Sequence, residues 1–303
     1  MPDAENHTRT LVVVNPAAGG GRSEARWRAV ESAVRAAFPF DLHYTTAPGD
    51  ATVVARQAAG TGITRVLAVG GDGTLHELVN GLAGSAVALG VLPVGTGNDF
   101  ARASGFMMPA AALIAGLAGC HRRRVDLGRV AGRYYINVAG VGFDAHVAAT
   151  VNAMASKRGG TLPYVGTALR EAFRYRPPLL DVWADGAQIV RHSPCLLVAV
   201  GNTSAYGGGM RICPGARFDD GELDALLVGD VFGWQTVGLL PRVFVGRHLG
   251  HPGVRLQRAR RVRIEGPAHI QLHADGEVVG GLPAEFEVAP AALTLWTPHA
   301  GSA

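Results

Sequence analysis

Cysteine is scarce in this chain: Cys120, Cys195 and Cys213 are all it has among 303 residues. They are odd in number and widely spaced, and no Cys-x-x-Cys pair occurs. Neither a disulfide framework nor a cysteine metal site is expected, which fits a reducing cytoplasm. Long apolar runs are missing too. No stretch reaches the roughly 18 residues that a membrane-spanning helix needs, and the opening Met1-Pro-Asp-Ala-Glu-Asn-His7 has neither the basic nor the apolar region of a secretory signal. The expectation is a cytoplasmic chain that would meet a membrane only from its surface. A Walker-type P-loop is absent as well, since the nearest approach, Gly19-Gly-Gly-Arg-Ser23, lacks both the lysine and the spacing. Basic residues interleaved with aromatics for base stacking are not found, so nucleic acid is not expected as a partner.

What is present is an ordinary globular composition, 48% apolar, with 42 glycines that punctuate apolar segments without forming a repeat. The length allows two domains at about 100–200 residues each. A net charge of +4 favours anionic partners without choosing among them.

The stretch from Val66 to Leu82 organises the reading. Val66-Leu-Ala-Val69 is a short β-branched run suited to a strand buried on both faces. Gly70, Gly71 and Gly73 then supply a turn, because glycine alone tolerates positive φ and leaves no Cβ between the backbone and an incoming group. Leu75, Leu78, Val79 and Leu82 follow with helical spacing, and Asp72 or Thr74 stands where an N-cap would. A strand, a glycine turn and a helix N-terminus together form a site for phosphate. A carboxylate in such a turn should repel phosphate, so Asp72 suggests Mg²⁺ between the two. The competing reading is a plain tight βα turn with Asp72 as a solvated cap.

Two more glycine turns accompany it. Residues 10–15 read as a strand leading into Pro16-Ala-Ala-Gly-Gly-Gly21, and residues 86–92 as a strand leading into Pro93-Val-Gly-Thr-Gly-Asn-Asp-Phe100. A helix from Ser23, a strand over 40–45 and a helix over 51–58 fill the intervals. Alternating β and α with turns at the strand C-termini predicts a doubly wound parallel sheet with all three turns on one rim. After Cys120 short strands dominate: a hairpin over 124–139, then strands near 179–184, 196–200, 223–228, 261–264, 270–273, 286–288 and 293–296. Helices are expected over 145–155, 164–173 and 235–248. The fold class is therefore α/β. A parallel-sheet nucleotide domain over 1–120 is followed by a mostly antiparallel β-sandwich over 121–303, with a cleft between them and the last strand free to return to the first domain. Gly140-Val-Gly-Phe-Asp-Ala145 matches a loose dinucleotide pattern, but its strand comes from a hairpin and the acidic residue expected about 20 positions later is missing.

Taken together, Asn15-Pro-Ala-Ala-Gly-Gly20, Gly70-Gly-Asp-Gly-Thr74 with Glu77 and Asn80, and Pro93-Val-Gly-Thr-Gly-Asn-Asp-Phe-Ala-Arg102 resemble the bacterial diacylglycerol/lipid kinase family, whose eukaryotic relatives include sphingosine kinases. The likeness continues through Gly207 to Asp224 and ends at Asp275-Gly-Glu277. Gly-Gly-Asp-Gly-Thr alone is shared with NAD kinases; the blocks in order are more specific. The resemblance implies transfer of the γ-phosphate of ATP to a hydroxyl of diacylglycerol or a related lipid at a membrane surface. It implies an ATP site from Asn15, Pro16, Ala17, Ala18, Gly19, Thr46, Gly70, Gly71, Asp72, Gly73, Thr74, Leu75, His76, Glu77, Gly95, Thr96, Gly97, Asn98 and Asp99, with Mg²⁺ as cofactor. It implies Asp72 and Asp275 as catalytic residues, Asp275 taking the proton of the lipid hydroxyl. It also implies a second Mg²⁺ on the Asp220 side chain and the carbonyls of Arg217 and Glu222.

Each of these letters has a plainer reading. Asp275-Gly276 suits a type I′ hairpin turn, with Asp144 the next carboxylate to consider as base, and Asp220-Gly221 suits a turn before a strand. Arg255, Arg258, Arg260, Arg261 and Arg263 read either as a solvated strand face or as a docking face for anionic membrane, at about 1 kcal/mol per basic residue. NAD⁺ as acceptor, a sphingoid lipid as acceptor and a non-catalytic nucleotide-binding regulator remain as alternatives, and the sequence leaves a homodimer open.

Overall fold

The computed structural model describes residues 9–119, 121–153 and 161–299; Cys120 and the end of the helix expected over 145–155 lie outside them. The described chain divides into two compact units, one running up to Val125 and resuming at Ala292, the other Asp126–Ala291.

In the first unit β1 (Arg9–Val14), a short turn α1 (Ala18–Gly21), α2 (Ser23–Ala37), β2 (Asp41–Tyr44), α3 (Asp50–Gly60), β3 (Ile63–Gly70), α4 (Asp72–Leu82), β4 (Ala88–Pro93), α5 (Asp99–Ala103) and α6 (Ala110–Ala118) follow in order. The strands lie β2-β1-β3-β4, all parallel. Val12 to Val14 and Val66 to Val69 are buried, as strands covered on both faces must be. Helix α2 packs with α6, and α3 with α4, which gives the two helical layers. Register pairs Val14 with Val69 and Val69 with Leu92, so the loops after β1, β3 and β4 leave from one rim. Thr294 and Leu295 add a parallel strand beside Ala88 and Leu89 of β4. Trp296 locks that strand: it is fully buried, its indole N–H donates to the Leu117 carbonyl at 2.7 Å, and Phe38 meets it edge-on at 5.0 Å.

The second unit takes in the end of β5 (His121–Val130), then β6 (Arg133–Tyr135), β7 (Val138–Gly142), α7 (Phe143–Ala153), α8 (Thr161–Glu171), β8 (Leu179–Ala184), β9 (Ala187–Pro194), β10 (Leu197–Gly201), β11 (Leu223–Val228), α9 (Trp234–Phe244), β12 (Val254–Ala259), β13 (Arg261–Glu265), β14 (Gln271–Ala274), β15 (Glu277–Gly281) and most of β16 (Ala284–Thr297). One antiparallel sheet runs β12-β11-β10-β7-β14-β15; facing it, β13 pairs with β16 and β8, and β8 with β9. Val141, Val198 and Leu272 from the first sheet pack with Val182, Ile264 and Phe286 from the second, which makes this unit a β-sandwich. A second core, with Phe143, Val147, Leu226 and Leu239, lies under α7 and α9. Gly140 and Gly142 sit in the centre of the antiparallel sheet, where a Cβ on Gly140 would lie 2.7 Å from the Val198 carbonyl oxygen. Close strand packing explains these glycines without a nucleotide. Cys195 and Cys213 are free and buried.

Candidate functional site

The rim of the first unit is built mainly from backbone. Asn15 leaves β1 with its N–H on the Val69 carbonyl (3.0 Å), its Nδ2 donating to Thr74 Oγ1 (2.9 Å) and its Oδ1 accepting the Ala17 N–H (3.0 Å). The Pro16, Ala17 and Ala18 turn then reaches Gly19, which has φ +62 and lies so close to the Val94 carbonyl oxygen that a Cβ would stand 2.6 Å from it. None of Gly70, Gly71 and Gly73 has a positive φ. The expected left-handed turn is replaced by close approach: a Cβ on Gly70 would strike Thr74 Oγ1 at 2.5 Å, and one on Gly95 would strike Gly71 Cα at 2.5 Å. Helix α4 starts earlier than expected, at Asp72 with Gly71 as its N-cap, so Gly73 lies in its first turn. A Cβ on Gly73 would meet no protein atom within 4 Å, so the fold does not demand glycine there.

Asp72 ties two of the loops together. Its Oδ1 accepts the Asp99 N–H at 2.9 Å. Its Oδ2 and that of Asp99 both overlook Gly97, where a Cβ would lie 2.7 Å from the first and 3.5 Å from the second. Two carboxylates converging on a glycine suit a hard cation that completes its shell with phosphate and water. Asn98, at φ +52, donates to the Gly95 carbonyl at 3.0 Å, and Thr96 is exposed at the loop tip. Thr74, Leu75 and His76 are buried, so their part at the rim is backbone. Glu77 spends both carboxylate oxygens on the N–H groups of Gly49 (2.9 Å) and Ala51 (3.1 Å) at the start of α3. Thr46 gives its N–H to Asp50 Oδ2 at 2.8 Å, and His43 lies 3.2 Å from the same oxygen. The Thr46 N–H, ahead of the His43 ring, outweighs burial and holds the Asp50 carboxyl below its ordinary range. Arg26, which the sequence did not single out, donates to the Val94 carbonyl at 2.8 Å.

In the second unit Asp275 and Gly276, at φ +50 and +87, form the two-residue turn between β14 and β15, with Ala274 opposite Glu277. The turn reading of Asp275 holds in the structure, and its carboxylate stays a candidate base within that turn. Its Oδ2 accepts the Ile136 N–H (2.9 Å), and its Oδ1 accepts those of Asn137 (2.8 Å) and Val138 (3.3 Å). Burial, and next the Asp275 charge, push the nearby Tyr135 phenol well above its usual range. Under the turn, fully buried His273 places Nε2 2.9 Å from Asp144 Oδ2, and Tyr206 donates its hydroxyl to that oxygen at 3.3 Å while stacking on the imidazole. His273 Nδ1 accepts the Gly276 N–H at 3.4 Å, which assigns the ring proton to Nε2. Asp144 is 3% exposed, in contrast to half-buried Asp275. Sequence spacing gave no sign of this cluster, whose members stand 62 and 129 positions apart.

The loop of Arg217, Asp220 and Glu222 carries its own cation. Arg258 pairs with Asp220, with Glu222 at 3.0 Å and with Asp224 at 3.4 Å. Burial raises the Asp224 carboxyl, against the pull of Arg258. Asp126 braces the loop by accepting the Gly221 N–H at 2.7 Å. Among the described residues no group of three or more His, Cys, Asp and Glu side chains is arranged to hold a metal. A second Mg²⁺ fits this loop only if Arg258 leaves Asp220.

Comparison with known proteins follows the two units. Residues 9–130 match the family model described as the diacylglycerol kinase catalytic domain, and residues 137–297 the one described as the YegS C-terminal NAD kinase beta sandwich-like domain. The chain is similar to a diacylglycerol kinase of Bacillus subtilis, 31% identical over 92% of each chain. It is 34% identical to one of Mycobacterium tuberculosis, over 83% of this chain and 82% of that one. A probable lipid kinase YegS-like of Pseudomonas fluorescens is 33% identical over 89% of this chain and 90% of its own length. A crystal structure of a Bacillus anthracis protein superposes with a TM-score of 0.80 at 25% identity, covering 96% of this chain and 95% of that one.

Proposed function

The chain belongs to the family that joins a diacylglycerol kinase catalytic domain to a YegS-type C-terminal domain, and from that premise we propose that this ATP-using lipid kinase phosphorylates a hydroxyl of diacylglycerol or a closely related lipid. The observation that carries the reading of the site is the backbone contact of Gly71 with Gly95 beside the open position over Gly73. The first turn of α4 there offers N–H groups and the positive end of the helix dipole to phosphate. Asn15 and Gly19 border the same rim through Thr74 and Val94. Asp72, with Asp99 beside it, would hold Mg²⁺, which when bound neutralises phosphate charge.

Asp275 would act as the base. The N–H groups of Ile136 and Asn137 fix the direction of its carboxylate. The acceptor hydroxyl oxygen attacks the γ-phosphorus, the bond from that phosphorus to the β–γ bridging oxygen breaks, ADP leaves, and the hydroxyl proton passes to Asp275. Because the second unit matches a domain described as NAD kinase-like, NAD⁺ is the acceptor of a second reading. A transfer assay with radiolabelled ATP across diacylglycerols, sphingoid bases, other lipid alcohols and NAD⁺ separates them. Label is expected in diacylglycerol or a close lipid relative. Label in NAD⁺ alone, or in no acceptor, contradicts the proposal.

A further inference from the structure

A kinase whose acceptor is a membrane lipid has to meet a bilayer, and among the described residues no helix is long and apolar enough to cross one. In the arginine segment three of the five side chains are already held by carboxylates, and no large exposed apolar side chain stands among them. Arg258 is held by Asp220, Glu222 and Asp224, Arg261 by Glu285 at 2.9 Å, and Arg263 by Glu265.

A different corner of the second unit has what that segment lacks. Trp234, at the start of α9, is 79% exposed, and Phe173, just past α8, is 42% exposed. Their rings meet edge-to-face at 5.0 Å. The backbone fixes the pair, because the Gly233 N–H donates to the Ala172 carbonyl at 3.1 Å. Arg176 lies 4.0 Å over the Phe232 ring, and among the described residues neither it nor Arg174 meets a carboxylate. Both arginines line a cavity of about 670 Å³ whose single carboxylate, Glu171, is spent on His146 (3.1 Å) and Arg170 (3.0 Å).

Large aromatic rings held in water by a fixed backbone are costly unless something covers them. Trp favours the bilayer interface, where its ring is apolar and its N–H stays wet. Unpaired arginines beside such rings are attracted to anionic lipid surfaces. We propose that Phe173 and Trp234, flanked by Arg174 and Arg176, are the surface by which this protein docks on an anionic bilayer, with the adjoining cavity receiving a phospholipid headgroup. This rests on the lipid-kinase reading for its choice of partner.

The test is co-sedimentation with vesicles of phosphatidylglycerol and phosphatidylcholine, and of phosphatidylcholine alone. Trp234→Ala should weaken binding to the anionic vesicles by about tenfold or more, the order expected for one large apolar side chain. Arg174→Glu with Arg176→Glu should remove the preference for anionic vesicles. Both variants should keep wild-type melting and wild-type turnover on a short-chain, water-soluble diacylglycerol. Wild-type vesicle binding by both variants overturns the proposal. So does loss of self-association in place of loss of vesicle binding, which would assign the patch to a second copy of the chain. If the wild-type protein phosphorylates no lipid of any chain length while the vesicle results hold, the kinase reading fails and the docking surface stands.

Discussion

The rim of the first unit and the Asp275 turn of the second are both made of glycine and aspartate, yet they are built on opposite principles. At the rim, Gly71 and Gly95 touch backbone to backbone, and Gly73 leaves open space. Side chains there brace loops, and the surface left for a ligand is mainly amide. At the turn, one carboxylate gathers three backbone N–H groups and is also the group proposed to take a proton. The contrast teaches that a backbone site is disturbed by adding atoms, whereas a side-chain site is disturbed by exchanging one atom for another.

The largest effect that would sharpen this comparison is expected at the turn. Asp275→Asn should lower turnover at saturating ATP by about 10²-fold or more, the usual scale for loss of a general base. Asn-Gly is itself a good type I′ turn, but an amide NH₂ in place of one oxygen would face the Ile136 or the Asn137 N–H. Some loss of melting temperature is therefore expected, and turnover is to be read at a temperature where the variant is folded by circular dichroism. Near-wild-type turnover would return Asp275 to a purely structural role.

Two glycine substitutions divide the rim. Gly95→Ala puts a methyl 2.5 Å from Gly71 Cα, backbone that cannot swing aside, so melting temperature and ATP binding should fall together. The destabilisation should be about 1–3 kcal/mol, as for overpacking. Gly73→Ala meets no protein atom and replaces a helical glycine, so stability should hold or rise slightly. ATP affinity should still fall, about tenfold, because the methyl occupies ligand space. A Gly73→Ala protein that binds ATP normally would place the phosphates elsewhere.

The smallest effect concerns the brace behind the rim. The Asp50 carboxyl titrates lower folded than unfolded, so its contribution to stability is present above the unfolded value near 4 and is lost as pH falls through the folded one. Wild type should melt slightly higher than Asp50→Asn at pH 7, with the gap closing toward pH 3. A gap that widens in acid would contradict that sign.

Much of the fold was legible because its signals are local. Val12 to Val14 and Val66 to Val69 are β-branched runs, and the Trp27 and Val34 stripe marks α2. Strands β9 and β12 went unseen because they carry polar residues and are largely exposed, Ala-Gln-Ile-Val-Arg-His-Ser-Pro in β9 being the plainest case, and β15, Glu-Val-Val-Gly-Gly, was implied only by the hairpin reading of Asp275-Gly276. Two short strands were expected where one 14-residue strand, β16, runs through Pro290 and a left-handed Ala291. Helix α6 was missed because Ala-Ala-Ala-Leu-Ile-Ala-Gly-Leu-Ala is apolar nearly all round and shows little amphipathic period. The glycine motifs were visible, but letters do not distinguish a left-handed turn from a close approach. The Asp144, Tyr206 and His273 cluster and the pairing of Arg258 arise only when distant strands meet.

The central claim is that nucleotide binding belongs to the rim and proton removal to the turn. The dissociation constant of ATP for Asp275→Asn, measured beside wild type by equilibrium binding in the presence of Mg²⁺, tests it most directly. The account predicts a value within a few-fold of wild type. Loss of ATP binding in a variant that remains folded would contradict it.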